Sequence, residues 1–162
     1  MKLSKKQIDL LRKLMVRSAR KGNLANSALV LEKGKVIASA ESLVVSNNDA
    51  TAHSERMLIE KVCKKKRSHI TPGLTMVSVV EPCLMCLSAC SQAQYQEIAY
   101  IIPAEKYVAK IPWITDTERV NKAKVAKQLS SSIKYIHLKE YEQEFSNIFE
   151  SEMSALYKIK LS

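Results

Sequence analysis

Two short motifs constrain this chain more than any other feature: Thr51-Ala52-His53-Ser54-Glu55 and Glu81-Pro82-Cys83-Leu84-Met85-Cys86. As patterns they are H-x-E and P-C-x-x-C. One imidazole and two thiols are the borderline and soft ligands that zinc takes, and three of them leave a fourth tetrahedral position open. A catalytic ion needs that position to hold a water, whose pKa it lowers to roughly 7, so that hydroxide is available near neutral pH. For three side chains to share one ion, two segments far apart in sequence must end at one point. Any fold for this chain has to deliver that convergence.

The flanking residues indicate how. Thr51 is a plausible N-cap for a helix running to about Lys65, with Met57, Leu58 and Val62 facing inward. Residues 74–80 form an apolar run of strand length, consistent with a buried central strand. Pro82 ends it and Cys83 opens another helix, whose small residues Cys86, Ala89, Cys90 and Ala93 allow close approach to a neighbour. Both halves of the motif thus fall at helix N-termini, where partial positive charge favours the thiolate that zinc requires. Cys83 and Cys86, three residues apart in the first turn, point their sulfurs to one side. Glu55 lies in the first turn of its own helix. It is not needed as a ligand and is suited to carry protons from the bound water to a substrate and its leaving group.

The remaining pattern completes an alternating order. Ser4 caps a helix over roughly residues 5–20, with Ile8, Leu11, Leu14, Met15 and Ala19 on one face. Residues 29–38 predict a hairpin turning at Lys33-Gly34, followed by a polar loop over 46–50. Pro72-Gly73 is a turn, 98–102 a strand closed by Pro103, and 104–115 an irregular stretch holding the only tryptophan, Trp113. A helix is expected at about 116–129, a short strand over 133–137, and a last helix with Tyr141, Phe145, Ile148, Phe149, Met153 and Leu156 at helical spacing. This α-β-β-α-β-α-β-α-β-α order predicts a mixed sheet covered on both faces by helices. Residues 1–162 read as one domain, without repeats and long enough for a full core.

Composition sets the class. With 46% hydrophobic and 26% charged residues the chain has an ordinary globular make-up, and three glycines and four prolines leave little for linkers. The basic N-terminus begins as a signal peptide does, but Asp9, Arg12 and Lys13 interrupt the apolar stretch. No run approaches the roughly 20 apolar residues of a membrane span. A cytoplasmic protein is expected, with cysteines serving as metal ligands or buried thiols rather than disulfides. The formal net charge is +10, with basic residues clustered between Lys2 and Lys21 and between Lys61 and Arg67, and acids at Glu140, Glu142, Glu144, Glu150 and Glu152. Such a field attracts polyanions, tRNA among them; a solvated helix face is the simpler explanation of a charge run.

A lone C-x-x-C also fits a redox pair or half of a closed zinc site completed by Cys63, Cys90 or His69, but neither has a use for Glu55. Cys63 and Cys90 otherwise read as buried small hydrophobes, and His69 and His137 as structural or solvent-facing.

At these residues the chain resembles the cytidine deaminase superfamily, above all the branch of bacterial guanine deaminases, cytosine deaminases and tRNA adenosine deaminases. Asn48-Asp49-Ala50-Thr51-Ala52-His53-Ser54-Glu55 is similar to that branch's N-D-P-T-A-H-A-E, and Glu81-Pro82-Cys83-Leu84-Met85-Cys86 to its E-P-C-x-M-C. The resemblance covers about residues 5–140 and is strongest in the two motifs. It implies a three-layer α/β/α fold with a five-stranded mixed sheet. It also implies one zinc ion on His53, Cys83 and Cys86, Glu55 as proton shuttle, and a homodimer formed through the ligand-bearing helices. Three positions depart from the pattern: Ser42 where the branch usually has the base-reading Asn, Ser27 where it has Gly, and Ala50 where it has Pro. An alignment shifted there would make Asn47 or Asn48 relevant instead. The resemblance therefore implies a hydrolytic deaminase of a nucleobase, nucleoside or related amino-heterocycle. Ser42 and Trp113 are its candidate substrate contacts; packing in the core or a dimer is the other role open to Trp113. A tRNA adenosine deaminase is the alternative, favoured by the basic charge and opposed by the acidic C-terminal helix. A non-catalytic zinc-containing RNA-binding or partner subunit is the third, opposed by the presence of Glu55.

Overall fold

The computed structural model describes residues 1–112, 114, 119–129 and 131–158. Helix α1 (Lys5–Arg20) opens with a capping box: the Ser4 hydroxyl accepts from the Gln7 N–H at 3.3 Å, and Gln7 Oε1 accepts from the Ser4 N–H at 2.8 Å. It buries Leu11, Leu14, Met15 and Ala19, the face that its periodicity predicts. Strands β1 (Ser27–Glu32) and β2 (Lys35–Glu41) form the expected hairpin. Lys33 (φ 50°) and Gly34 (φ 76°) are both left-handed, as a two-residue primed turn demands.

Three parallel strands follow: β3 (Leu74–Val80), β4 (Glu97–Ile102) and β5 (Lys134–His137). The sheet order is β2-β1-β3-β4-β5, with β1 antiparallel to both neighbours. The sheet is therefore mixed, and β3 lies at its centre, as its unbroken apolar run predicts. Side chains alternate across β3. Val77 and Val79 join a core with α1 and α5 (Lys139–Tyr157), whereas Leu74 and Met76 join a second core with α2 (Ser54–Lys66), α3 (Leu84–Gln92) and α4 (Lys122–Gln128). These two cores on opposite faces make the three-layer α/β/α architecture. No helix among the described residues is long and apolar enough to cross a membrane.

This topology places the site. Because β1 and β3 are antiparallel, the start of β1 and the end of β3 share one edge of the sheet. The chain leaves that edge from β3 into α3, and α2 begins beside it.

Two expectations change. Thr51 is not the cap of α2. His53 is, and Thr51 instead gives its N–H and hydroxyl to Asp49 Oδ1 at 2.8 and 2.7 Å, folding the preceding loop on itself. The helix expected from about residue 116 is established over Lys122–Gln128, after Asn121, whose Oδ1 accepts from the Lys124 N–H at 2.9 Å. Residues 115–118 and Trp113 lie outside the described residues.

Candidate active site

Each metal-ligand motif is delivered by a helix N-cap whose side chain makes no capping bond: His53 before α2 and Cys83 before α3. The loop leading to His53 is pinned from behind. Asn23 Oδ1 accepts from the N–H groups of Val45 and Ser46 at 2.8 and 3.1 Å, and the Leu43 N–H reaches the Ala52 carbonyl at 3.0 Å. Arg56 ties the same loop to α2 through the Thr51 carbonyl at 2.8 Å and Asp49 at 3.6 Å. Cys83 is held by the residue two places before it. The Glu81 carboxylate accepts from the Ala104 N–H at 3.2 Å and the Tyr135 hydroxyl at 3.1 Å, and pairs with the fully buried Lys122 ammonium at 3.4 Å. The glutamate of E-P-C thus fastens the β3–α3 turn to the rest of the sheet, instead of entering the site.

His53, Cys83 and Cys86 come together, with one ligand atom from each within 4.8 Å of the others. Cys83 Sγ stands 3.6 Å from His53 Nδ1. Around a tetrahedral zinc with bonds of about 2.0–2.3 Å, neighbouring ligand atoms are about 3.5–3.8 Å apart, so this donor set fits the ion after a small contraction. Among the described residues the set stops at three. Cys63 points to the His69 carbonyl (3.8 Å) at the far end of α2, and Cys90 is fully buried, with burial pushing its thiol up. The closed site considered from the sequence is therefore not formed by these residues, and none of the described residues supplies a fourth ligand.

The two sulfurs share a proton unequally. The hydrogen bond from the Cys86 thiol lowers the Cys83 thiol to about 4 against the cost of burial, helped by His53 and the Cys86 N–H. Cys86 moves the other way, raised by that same bond, by burial and by the nearby Glu55 charge.

Glu55 is 2% exposed and lies in the first turn of α2. Three groups hydrogen-bond its carboxylate: Ser78 Oγ at 2.8 Å and Asn26 Nδ2 at 3.3 Å donate to Oε1, and Ser54 Oγ at 2.9 Å donates to Oε2. Beside this group lies a cavity of about 270 Å³. Leu24, Val44, Ala50 and Pro112 give it apolar walls, and Asn26, Ser42 and His53 supply its polar groups. Ser42 lines this cavity, whereas Asn47 and Asn48 are exposed. Ser27 is buried and uses its hydroxyl on the Leu11 carbonyl at 2.8 Å. Asn26, Ser54 and Ser78 were not singled out by the sequence. The one available signal was Ser78, a hydroxyl in an otherwise apolar central strand.

The model of the cytidine and deoxycytidylate deaminase zinc-binding region matches residues 1–102. The chain belongs to this family. Zinc is accordingly its cofactor, in keeping with a His/Cys/Cys group able to bind a metal. Over 84 residues this family member is 26% identical to a tRNA-specific adenosine deaminase of Aquifex aeolicus, a match covering 52% of this chain and 56% of that protein. Over 73 residues it is 33% identical to a guanine deaminase of Bacillus subtilis, covering 45% and 47%. The match thus spans about half the length of these relatives. Among solved structures, a guanine deaminase from Nitrosomonas europaea shares the fold with a TM-score of 0.78 at 16% identity, over 95% of this chain and 87% of that one.

Proposed function

We propose that this chain is a zinc-dependent hydrolytic deaminase of a nucleobase, nucleoside or related amino-heterocycle. The observation that carries the reading is a small, mostly apolar cavity lined by His53, which stands 3.6 Å from Cys83 in the His53–Cys83–Cys86 group, and by Asn26, which stands 3.3 Å from the buried carboxylate of Glu55. A cavity near the lower end of ligand-site volumes, with few polar groups on apolar walls, suits a flat heterocycle. His53, Cys83 and Cys86 hold the ion, which when bound supplies Lewis-acid activation of a water. Glu55 accepts a proton from that water on a carboxylate oxygen and returns protons to the ring nitrogen and to the amino group. A carbon–oxygen bond forms, the carbon–nitrogen bond breaks and ammonia leaves, so that amine plus water becomes carbonyl compound plus ammonia. Ser42 offers the substrate one hydroxyl, and Trp113, which lies outside the described residues, is proposed as a substrate contact on the sequence alone. We place the protein in the cytoplasm as a homodimer joined through α2 and α3.

Ammonia release by zinc-loaded protein tests the reading, with guanine, cytosine, adenine, their nucleosides, other amino-heterocycles and bulk tRNA as substrates. Glu55→Gln is expected to keep zinc and fold while losing turnover by about 10²–10⁴-fold; full activity in that variant would sink the mechanism.

One observation favours a tRNA adenosine deaminase as second reading. The first turn of α1 and the last turn of α2 both reach the turn of the β1–β2 hairpin, from opposite faces of the sheet. Gln7 in the first turn of α1 bonds the Gly34 carbonyl at 3.0 Å, and Lys66 pairs with Glu32 at 2.6 Å. Lys5, Lys6, Lys33, Lys35, Lys65, Lys66 and Arg67 therefore gather at one edge of the sheet.

A further inference from the structure

Glu55 is not free to sample the cavity as an ordinary glutamate would, and the cause is a pair of residues from two strands. Asn26 precedes β1. Its Oδ1 accepts from the N–H groups of Ser27 and Val80, both at 2.9 Å, and so spans the ends of β1 and β3. Those two donors fix the amide's orientation: turning it over would set Nδ2 against two N–H groups and Oδ1 against the Glu55 carboxylate. Held this way, Nδ2 has Ser54 Oγ and Glu55 Oε1 as acceptors, each at 3.3 Å, and every hydrogen-bonding site of the side chain is used. Ser78, on β3, holds its Oγ 2.8 Å from the same oxygen and 2.7 Å from the Val80 carbonyl, so that its single proton is shared between the two acceptors.

We propose that Asn26 and Ser78 are positioning residues of the site. They clamp one oxygen of Glu55, Oε1, so that the other, which takes a single hydrogen bond from Ser54, is the oxygen that exchanges protons with water and substrate. This rests on the reading of Glu55 as proton shuttle. It assigns the clamp to two residues that touch neither the ion nor the reacting carbon. A flexible carboxylate is fixed by a sheet junction, and the sheet edge becomes part of the catalytic geometry. Misplacing a catalytic group by about 1 Å costs on the order of 10²-fold in rate.

Two variants separate the clamp from simple architecture. Asn26→Asp keeps an acceptor for the Ser27 and Val80 N–H groups and sets a carboxyl oxygen where Nδ2 stood, 3.3 Å from Glu55 Oε1, so that the neutral donor is lost and the two carboxyls share a proton. Ser78→Ala removes the second donor from the opposite strand, and decides the question if Asn26→Asp does not fold. For both, zinc content is expected to stay at the wild-type level and KM within about threefold. We expect kcat to fall by about 100-fold in Asn26→Asp and about 10-fold in Ser78→Ala. Crystal structures of the zinc-loaded variants are expected to show the Glu55 carboxylate rotated away from its wild-type position. Unchanged kcat in a folded, zinc-replete variant would overturn the proposal, as would an unmoved carboxylate. If wild type and Glu55→Gln are equally inactive on every substrate, the proposed function itself fails and the clamp's role fails with it. If wild type turns over and Glu55→Gln does not, the two variants judge the clamp alone.

Discussion

At the scale of single residues, the sharing of one proton by Cys83 and Cys86 has measurable results. Zinc takes both sulfurs as thiolates, and metal binding therefore competes with protons. In the metal-free pair Cys83 has already lost its proton at neutral pH, being lowered to about 4, whereas Cys86 keeps its own because its thiol is raised. Zinc loading near pH 7 is expected to release about one proton per ion, read as the buffer dependence of the calorimetric heat. Between pH 7 and 8 apparent zinc affinity should rise about tenfold per pH unit. Release of two protons would mean that Cys83 is not the thiolate described here. The sign for the metal-free fold follows the same logic. The depressed Cys83 thiol contributes stability that is fully present above about pH 9 and is lost as pH falls toward 4. Cys83→Ala and Cys86→Ala are each expected to lose zinc, by metal analysis, together with much of the thermal stability.

At the scale of elements, the turn from β3 into α3 depends on charges buried beneath it. Lys122 is 1% exposed and its ammonium faces Glu81 at 3.4 Å. Replacing Lys122 takes the cation away from the mostly buried Glu81 carboxylate, which keeps the neutral Ala104 N–H and Tyr135 hydroxyl, and breaking a buried ion pair costs about 3–5 kcal/mol. Lys122→Met should destabilise the fold by that order in chemical denaturation and weaken zinc retention through Cys83; a loss below about 1 kcal/mol would show that water reaches Glu81. Neither partner stands out in the sequence: Lys122 is one lysine among many, and Glu81 reads as part of the metal motif. Their pairing arises from the sheet order, which brings α4 beside the β3–α3 turn. The same division between local and long-range information runs through the fold. The Ser4 cap, the Lys33-Gly34 turn, the β3 run and the helix start at Cys83 are encoded within a few residues and were legible as such, whereas the cap of α2 was read at Thr51, two residues before His53. The clamp by Asn26 and Ser78 joins residues 52 positions apart and leaves no local pattern. Thr51 has a capping residue's chemistry, yet Asp49 two residues earlier competes successfully for its hydroxyl.

At the scale of the whole molecule, the edge with Lys33, Lys35, Lys65 and Lys66 and the catalytic edge are opposite ends of the same sheet, and Arg17 and Lys21, paired with Glu41 beside Ser27, bring further basic residues to the catalytic end. The seven residues of β3 separate the two ends by about 20 Å. A substrate that uses both must be a polyanion long enough to span that length, whereas a free base meets only the cavity. The salt dependence of KM distinguishes them. For a small neutral substrate KM should stay nearly constant between 50 and 200 mM salt, and for RNA it should climb by orders of magnitude as phosphate contacts are screened. The first and last helices close one face of the sheet together. The Tyr141 hydroxyl accepts from the Leu3 N–H at 3.0 Å, Arg12 pairs with Glu144, and Leu11, Met15, Phe145, Phe149 and Met153 share one core. A ribosome makes these partners about 120 residues apart, on the order of ten seconds at about 5–20 residues per second. Throughout that interval the apolar side of α1 has half of its cover missing. A nascent chain paused before residue 139 presents Leu11 and Met15 to chaperones and to other nascent chains. Solubility during synthesis, more than stability once made, is then the property that α5 decides.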